Sequence, residues 1–91
     1  MSTYELDSFM LNGTKQSINF YEKEDGLEEE IDGTTLEEML RVSILRLIDL
    51  NSRFGCRENS IAITKMQEAL MWLDARTRDR INRNVEGKHE A

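Results

Sequence analysis

From Leu36 to Arg83 apolar side chains return every three or four residues, and the run is interrupted once, between Asn51 and Cys56. That spacing puts them along one side of a 3.6-residue helix, so the segment predicts two amphipathic helices whose stripes must be buried. Leu36, Met39, Leu40, Ile44, Leu47, Ile48 and Leu50 carry the first stripe, widened by Val42 and Leu45. Ala62, Met66, Ala69 and Leu73 carry the second, with Ile61, Ile63, Leu70 and Trp72 in neighbouring rows. Gly55 lies in the break. The first helix begins at Thr34 or Thr35, since each hydroxyl can cap a first-turn amide and each has a glutamate three residues on (Glu37, Glu38). The predicted spans are 34–51 and 57–83. A helix longer than 25 residues suggests that a partner covers its overhang.

Upstream, Tyr4, Leu6, Phe9, Met10 and Leu11 precede Asn12-Gly13, and Ile18, Phe20 and Tyr21 follow it. Asn-Gly favours a tight hairpin because both central positions take positive φ, so residues 1–22 predict a β-hairpin. Phe20 and Tyr21 are its expected core and rim. Two strands are not stable alone and must pack on a helix or a second subunit. Residues 23–33 form an acidic connector, a solvated loop or edge segment, and residues 84–91 a loose tail. The expected architecture is one domain over 1–91 of class α+β, a β-hairpin followed by a helical hairpin. At 91 residues such a chain buries only about 60–65% of its unfolded surface and gains from oligomerisation.

Twelve basic against eighteen acidic residues give a formal charge of −6, which argues against DNA or an anionic membrane as partner. The charge is polarised. Nine acids fall between Glu22 and Glu38 against Lys23 alone, and four arginines (Arg76, Arg78, Arg80, Arg83) fall between 76 and 83 against Asp79 alone. Capture of an anion therefore belongs to the end of the second helix. One cysteine, Cys56, leaves no internal disulfide and fits a reducing compartment. Neither a signal peptide nor a stretch of roughly 18 apolar residues is visible, and an intracellular protein is expected.

Catalysis finds little support. The one histidine, His89, sits in the tail, and pairing it with Cys56 would require that tail to dock with no third group to orient it. The phosphate loop, the HExxH helix and the EF-hand spacing are missing, so neither cofactor nor metal is implied. The arginines are more telling. Arg76 and Arg80 stand four apart on one face, and the same line runs back through Leu73, Ala69, Met66 and Ala62 to Asn59. Arginines near a helix C-terminus oppose the macrodipole and can simply be solvated. Two on the line of an apolar interface stripe also suit phosphate through their planar guanidinium groups. Asn59 and Arg76 lie roughly 25 Å apart at about 1.5 Å per residue, so both touch one small ligand only if supplied by different subunits. Phe54, beside Gly55, is the candidate to lie against a flat base. Trp72 reads as core or interface packing and Lys65 as solvent-exposed.

The string Phe54-Gly55-Cys56-Arg57-Glu58-Asn59, continuing through Ile61-Ala62-Ile63-Thr64-Lys65, Glu68-Ala69, Trp72-Leu73 and Ala75-Arg76-Thr77-Arg78-Asp79-Arg80 to Val85-Glu86-Gly87, resembles a family of small tailed-phage proteins. These are the Thoeris anti-defence sponges, related to the anti-CBASS sponges that share a helical hairpin. Ile18 to Tyr21, Asp32-Gly33-Thr34 and Leu36 to Leu47 match more loosely, so the resemblance covers roughly 18–87. It implies a non-enzymatic protein of the infected bacterium's cytoplasm. Such a protein binds cyclic ADP-ribose isomers or cyclic di- and trinucleotides and keeps the immune effector inactive. It implies dimers or trimers of dimers, with Asn59, Arg76 and Arg80 as ligand contacts. Family members carry a base-stacking aromatic after the first helix, where this chain has Leu50-Asn51. Either Phe54 takes over the stacking beside Leu50, or the base is bound less tightly, or another signal is preferred. The alternative function is an acidic protein–protein adaptor that inhibits a host protein through Glu28-Glu29-Glu30.

Overall fold

The computed structural model describes residues 2–10, 12–23 and 30–86. Its elements are β1 (Thr3–Leu6), β2 (Gln16–Asn19), β3 (Glu22–Lys23), β4 (Glu30–Ile31), α1 (Leu36–Arg53) and α2 (Arg57–Glu86). The class is α+β, an antiparallel β-hairpin followed by two helices of which the second is the longer. Chain contacts divide the molecule into two compact units, Met1–Glu38 and Met39–Ala91.

In the first unit β1 pairs with β2 antiparallel, Tyr4 opposite Ile18 and Leu6 opposite Gln16. This is not the register a two-residue Asn12-Gly13 turn would set. That turn would oppose Tyr4 to Tyr21 and Glu5 to Phe20, mixing acids with apolar side chains on one face. The observed pairing gathers Tyr4, Leu6, Ile18 and Phe20 on one face and Thr3, Glu5, Ser17 and Asn19 on the other. Apolar segregation outweighs the local turn preference, because a register slip moves whole sets of side chains across the sheet. The Tyr4 and Phe20 rings meet edge-on at 5.7 Å, and the Thr3 hydroxyl donates to Asn19 Oδ1 at 2.8 Å. Asn12-Gly13 still turns the chain, with the Gly13 N–H bonded to the Met10 carbonyl at 3.0 Å, but inside a wide loop between Leu6 and Gln16.

Where the predicted hairpin meets the acidic connector, β3 pairs with β4, Glu22 opposite Ile31 and Lys23 opposite Glu30. Of the adaptor surface Glu28-Glu29-Glu30, only Glu30 is among the described residues. The Tyr21 hydroxyl donates to Glu30 Oε2 at 3.0 Å. Beyond β4 the backbone returns to β2. The Thr34 N–H donates to the Asn19 carbonyl (2.8 Å), the Tyr21 N–H to the Thr34 carbonyl (2.9 Å), and Phe20 forms a parallel bridge with Thr34. This approach requires Gly33. A Cβ there would stand 2.5 Å from the Phe20 carbonyl carbon and closer still to the Asn19 carbonyl oxygen.

Of the two threonines before α1, Thr35 caps the helix: its Oγ1 accepts the Glu38 N–H at 3.1 Å. In the second unit three residues, 54–56, join α1 to α2. Ile44 is the only buried hydrophobic residue among those described. Leu40, Leu47 and Leu50 on α1 and Ala62, Ile63, Met66, Leu70 and Leu73 on α2 are half-buried. The 30 residues of α2 outrun the 18 of α1 by twelve, roughly 18 Å at about 1.5 Å per residue. From Arg76 to Arg83 every described side chain is exposed. The final residues 87–91, His89 included, lie outside those described. No helix is long and apolar enough to cross a membrane among the described residues.

Candidate functional site

Two groups of side chains occupy opposite ends of α2. At its start the chain leaves α1 through the Phe54 N–H, which donates to the Leu50 carbonyl at 2.9 Å. It enters α2 through the Ser60 N–H, bonded to the Cys56 carbonyl at 3.2 Å. Between these two bonds the Phe54 side chain is 76% exposed, while Leu50 and Asn59 are half-buried. Asn59 Nδ2 lies 3.5 Å from the Phe54 carbonyl oxygen, a long contact that still holds the amide against the turn. The sequence-predicted residues Leu50, Phe54 and Asn59 are thus assembled around one turn.

Asn51, where the first apolar stripe ends, organises that turn. Its Oδ1 accepts the Cys56 N–H at 3.1 Å and its Nδ2 points to Ser60 Oγ at 3.4 Å, linking the last turn of α1 to the first of α2. A Cβ on Gly55 would come within 3.1 Å of the Asn51 carbonyl oxygen, tighter than an ordinary van der Waals contact. The signal in the sequence was an Asn four residues before a Gly at a helix end, too common a pattern to single out.

The arginines stand at the far end. Arg76 and Arg80 are both exposed on the part of α2 that extends past the length of α1. Asp79 is engaged by Arg83 at 3.3 Å, and Arg80 makes no ion pair among the described residues. Because α2 is unbroken from Arg57 to Glu86, one chain keeps Asn59 and Arg76 roughly 25 Å apart at about 1.5 Å per residue. The structure brings the turn residues together and does not bring the arginines to them. Trp72, at 63% exposed, is not core in the single chain. An open concavity of about 610 Å³ lies elsewhere, on the β1–β2 loop, lined by Phe9, Met10, Asn12 and Gly13. With Phe9 99% exposed it is a surface dip rather than an enclosed site, and none of the helical site residues lines it.

Residues 19–78 match the family described as Acb2/Tad1, hairpin domain. The chain belongs to that family. The match takes in the return of the chain to β2, α1, the turn after it and α2 as far as Arg78, with Leu50, Phe54, Asn59 and Arg76; Arg80 follows two residues after its end. A curated relative, "Thoeris anti-defense 1" of Bacillus phage SBSphiJ7, is 52% identical over 59 residues. That alignment covers 64% of this chain and 42% of the relative, so the chain spans less than half of that protein's length.

Proposed function

We propose that this chain is a phage anti-defence protein that binds cyclic nucleotide immune messengers, cyclic ADP-ribose isomers or cyclic di- and trinucleotides, and sequesters them intact in the host cytoplasm. Membership of the Acb2/Tad1 hairpin family and the similarity to a Thoeris anti-defence protein support this reading. The observation that carries it is the arrangement along α2 and the turn before it, with exposed guanidinium groups near the helix's far end and an aromatic and a carboxamide at the turn. Arg76 and Arg80 hold phosphate, Asn59 bonds base or ribose, and Phe54, beside Leu50, lies on the base. Since one helix keeps these ends apart, the pocket is shared between two copies, the turn of one facing the arginines of the next. Charge-assisted bonds from guanidinium to phosphate suit a multiply anionic ligand, while the aromatic and the amide select among bases.

The chain's thin core supports the shared pocket. Among the described residues one hydrophobic side chain is buried and fifteen large ones are exposed, including Val42, Leu45 and Ile48 on α1 and Ile61 and Trp72 on α2. These cover more than one side of each helix, which favours dimers that assemble further, as in trimers of dimers. Isothermal titration against cyclic ADP-ribose isomers and cyclic dinucleotides tests the function. Arg76→Ala or Arg80→Ala lowers affinity by about tenfold to a hundredfold, the loss of one charged hydrogen bond. Ligand recovered unaltered after heating the complex marks a sponge; a cleaved ligand marks an enzyme. Absence of heat with every ligand refutes the proposal.

A further inference from the structure

We infer that Asn51 is the positioning residue of the proposed ligand site: its carboxamide fixes the 54–56 turn so that Phe54 stands ready to receive a base. The inference rests on the ligand-binding reading above and adds to it a residue that touches no ligand. An amide nitrogen at the start of a helix lacks an intrahelical partner, and Cys56, whose carbonyl accepts the first bond of α2, is in that position. Its N–H must meet an acceptor, so the group 3.1 Å away is Asn51 Oδ1, and the other half of the carboxamide is the donor aimed at Ser60 Oγ, 3.4 Å away. One planar group therefore ties the cap and the first turn of α2 to the last turn of α1.

Between the tied points lie Phe54, Gly55 and Cys56. Phe54 is held at its N–H by the Leu50 carbonyl and at its carbonyl by Asn59, while its ring, 76% exposed, has little packing to hold it. With the ring otherwise unsupported, the backbone of the turn sets where it points. A ring already presented in one orientation costs less to order when a ligand arrives, so the turn contributes to affinity through preorganisation. Gly55 fits the same account, because a Cβ there would press on the Asn51 carbonyl oxygen at 3.1 Å.

Conservative replacement separates this role from mere stability. Asn51→Asp keeps the acceptor for the Cys56 N–H and lets the Ser60 hydroxyl donate in turn; Asn51→Ala removes both. Titration of the 91-residue chain with cyclic ADP-ribose and with cyclic di-GMP is expected to show about a tenfold loss for Asn51→Ala and near-native binding for Asn51→Asp. The loss should vanish in a Phe54→Ala background, since Asn51 acts through that ring, and persist in an Arg80→Ala background. Amide exchange at Cys56, read without ligand, should rise sharply in Asn51→Ala alone. Unchanged binding by Asn51→Ala, an Asp variant as weak as the Ala variant, or full additivity with Phe54→Ala would overturn the inference while leaving the sponge reading in place. A wild-type chain that binds neither ligand overturns both.

Discussion

At the scale of single residues, Gly33 is the position with least latitude. The backbone after β4 is drawn onto the end of β2 by two hydrogen bonds, and a methyl group at 33 has backbone rather than a flexible side chain to displace. Gly33→Ala is expected to destabilise the first unit by about 1–3 kcal/mol, the usual cost of overpacking, measured as a shift in the urea midpoint. Tyr21 offers a different handle. Its hydroxyl donates to the Glu30 carboxylate, and that bond, with partial desolvation and the carboxylate's charge, raises the phenol's pKa above 10.0. A folded-state pKa above the unfolded one means that the contact's contribution is fully present below pH 10 and is lost as pH rises through the folded value. In Tyr4→Phe, where Tyr21 is the remaining tyrosine, near-ultraviolet absorbance should therefore titrate above the free phenol, and Glu30→Gln should bring the transition down.

At the scale of elements, short-range signals located the helices and the first hairpin but not that hairpin's register. The apolar period located α1 and α2, and the cap was narrowed to two threonines of which Thr35 makes the bond. Thr35→Ala is expected to cost about 1 kcal/mol and to raise amide exchange in the first turn of α1, with Thr34→Ala leaving that turn's exchange unchanged. The turn signal at Asn12-Gly13 was legible, but the register was not. It depends on which face of each strand is apolar, a property of Tyr4, Leu6, Ile18 and Phe20 taken together rather than of two adjacent residues. β3 and β4 escaped because a two-residue pairing inside an acidic run has no period to detect. For the candidate site, charge and helical spacing picked out Asn59, Arg76 and Arg80, and its place beside Gly55 in the turn picked out Phe54. Asn51 stayed hidden because its importance lies in two hydrogen bonds across the turn, which composition does not encode.

At the scale of the whole molecule, the property that matters most is the length of α2 relative to α1. A helix that outruns its neighbour by twelve residues leaves its arginines beyond the reach of the turn on its own chain. If the pocket is shared as proposed, two copies related by a two-fold axis hold two equivalent pockets, each built from one turn and one arginine end. Dilution below the assembly constant should then weaken ligand binding and lower the melting temperature together, as sedimentation and calorimetry across a concentration series would show. A genetic consequence also follows. Asn59→Ala spoils the pocket at one end of its chain and Arg76→Ala the pocket at the other, so each variant alone holds only weakened pockets. Unfolded together and allowed to reassemble, half the pairs would be hybrids, and in each hybrid both lesions fall in one pocket and leave the second intact. Two weakened proteins mixed in this way should recover about one quarter of the wild-type number of native-affinity pockets, a form of complementation between alleles that a pocket contained within one chain does not allow.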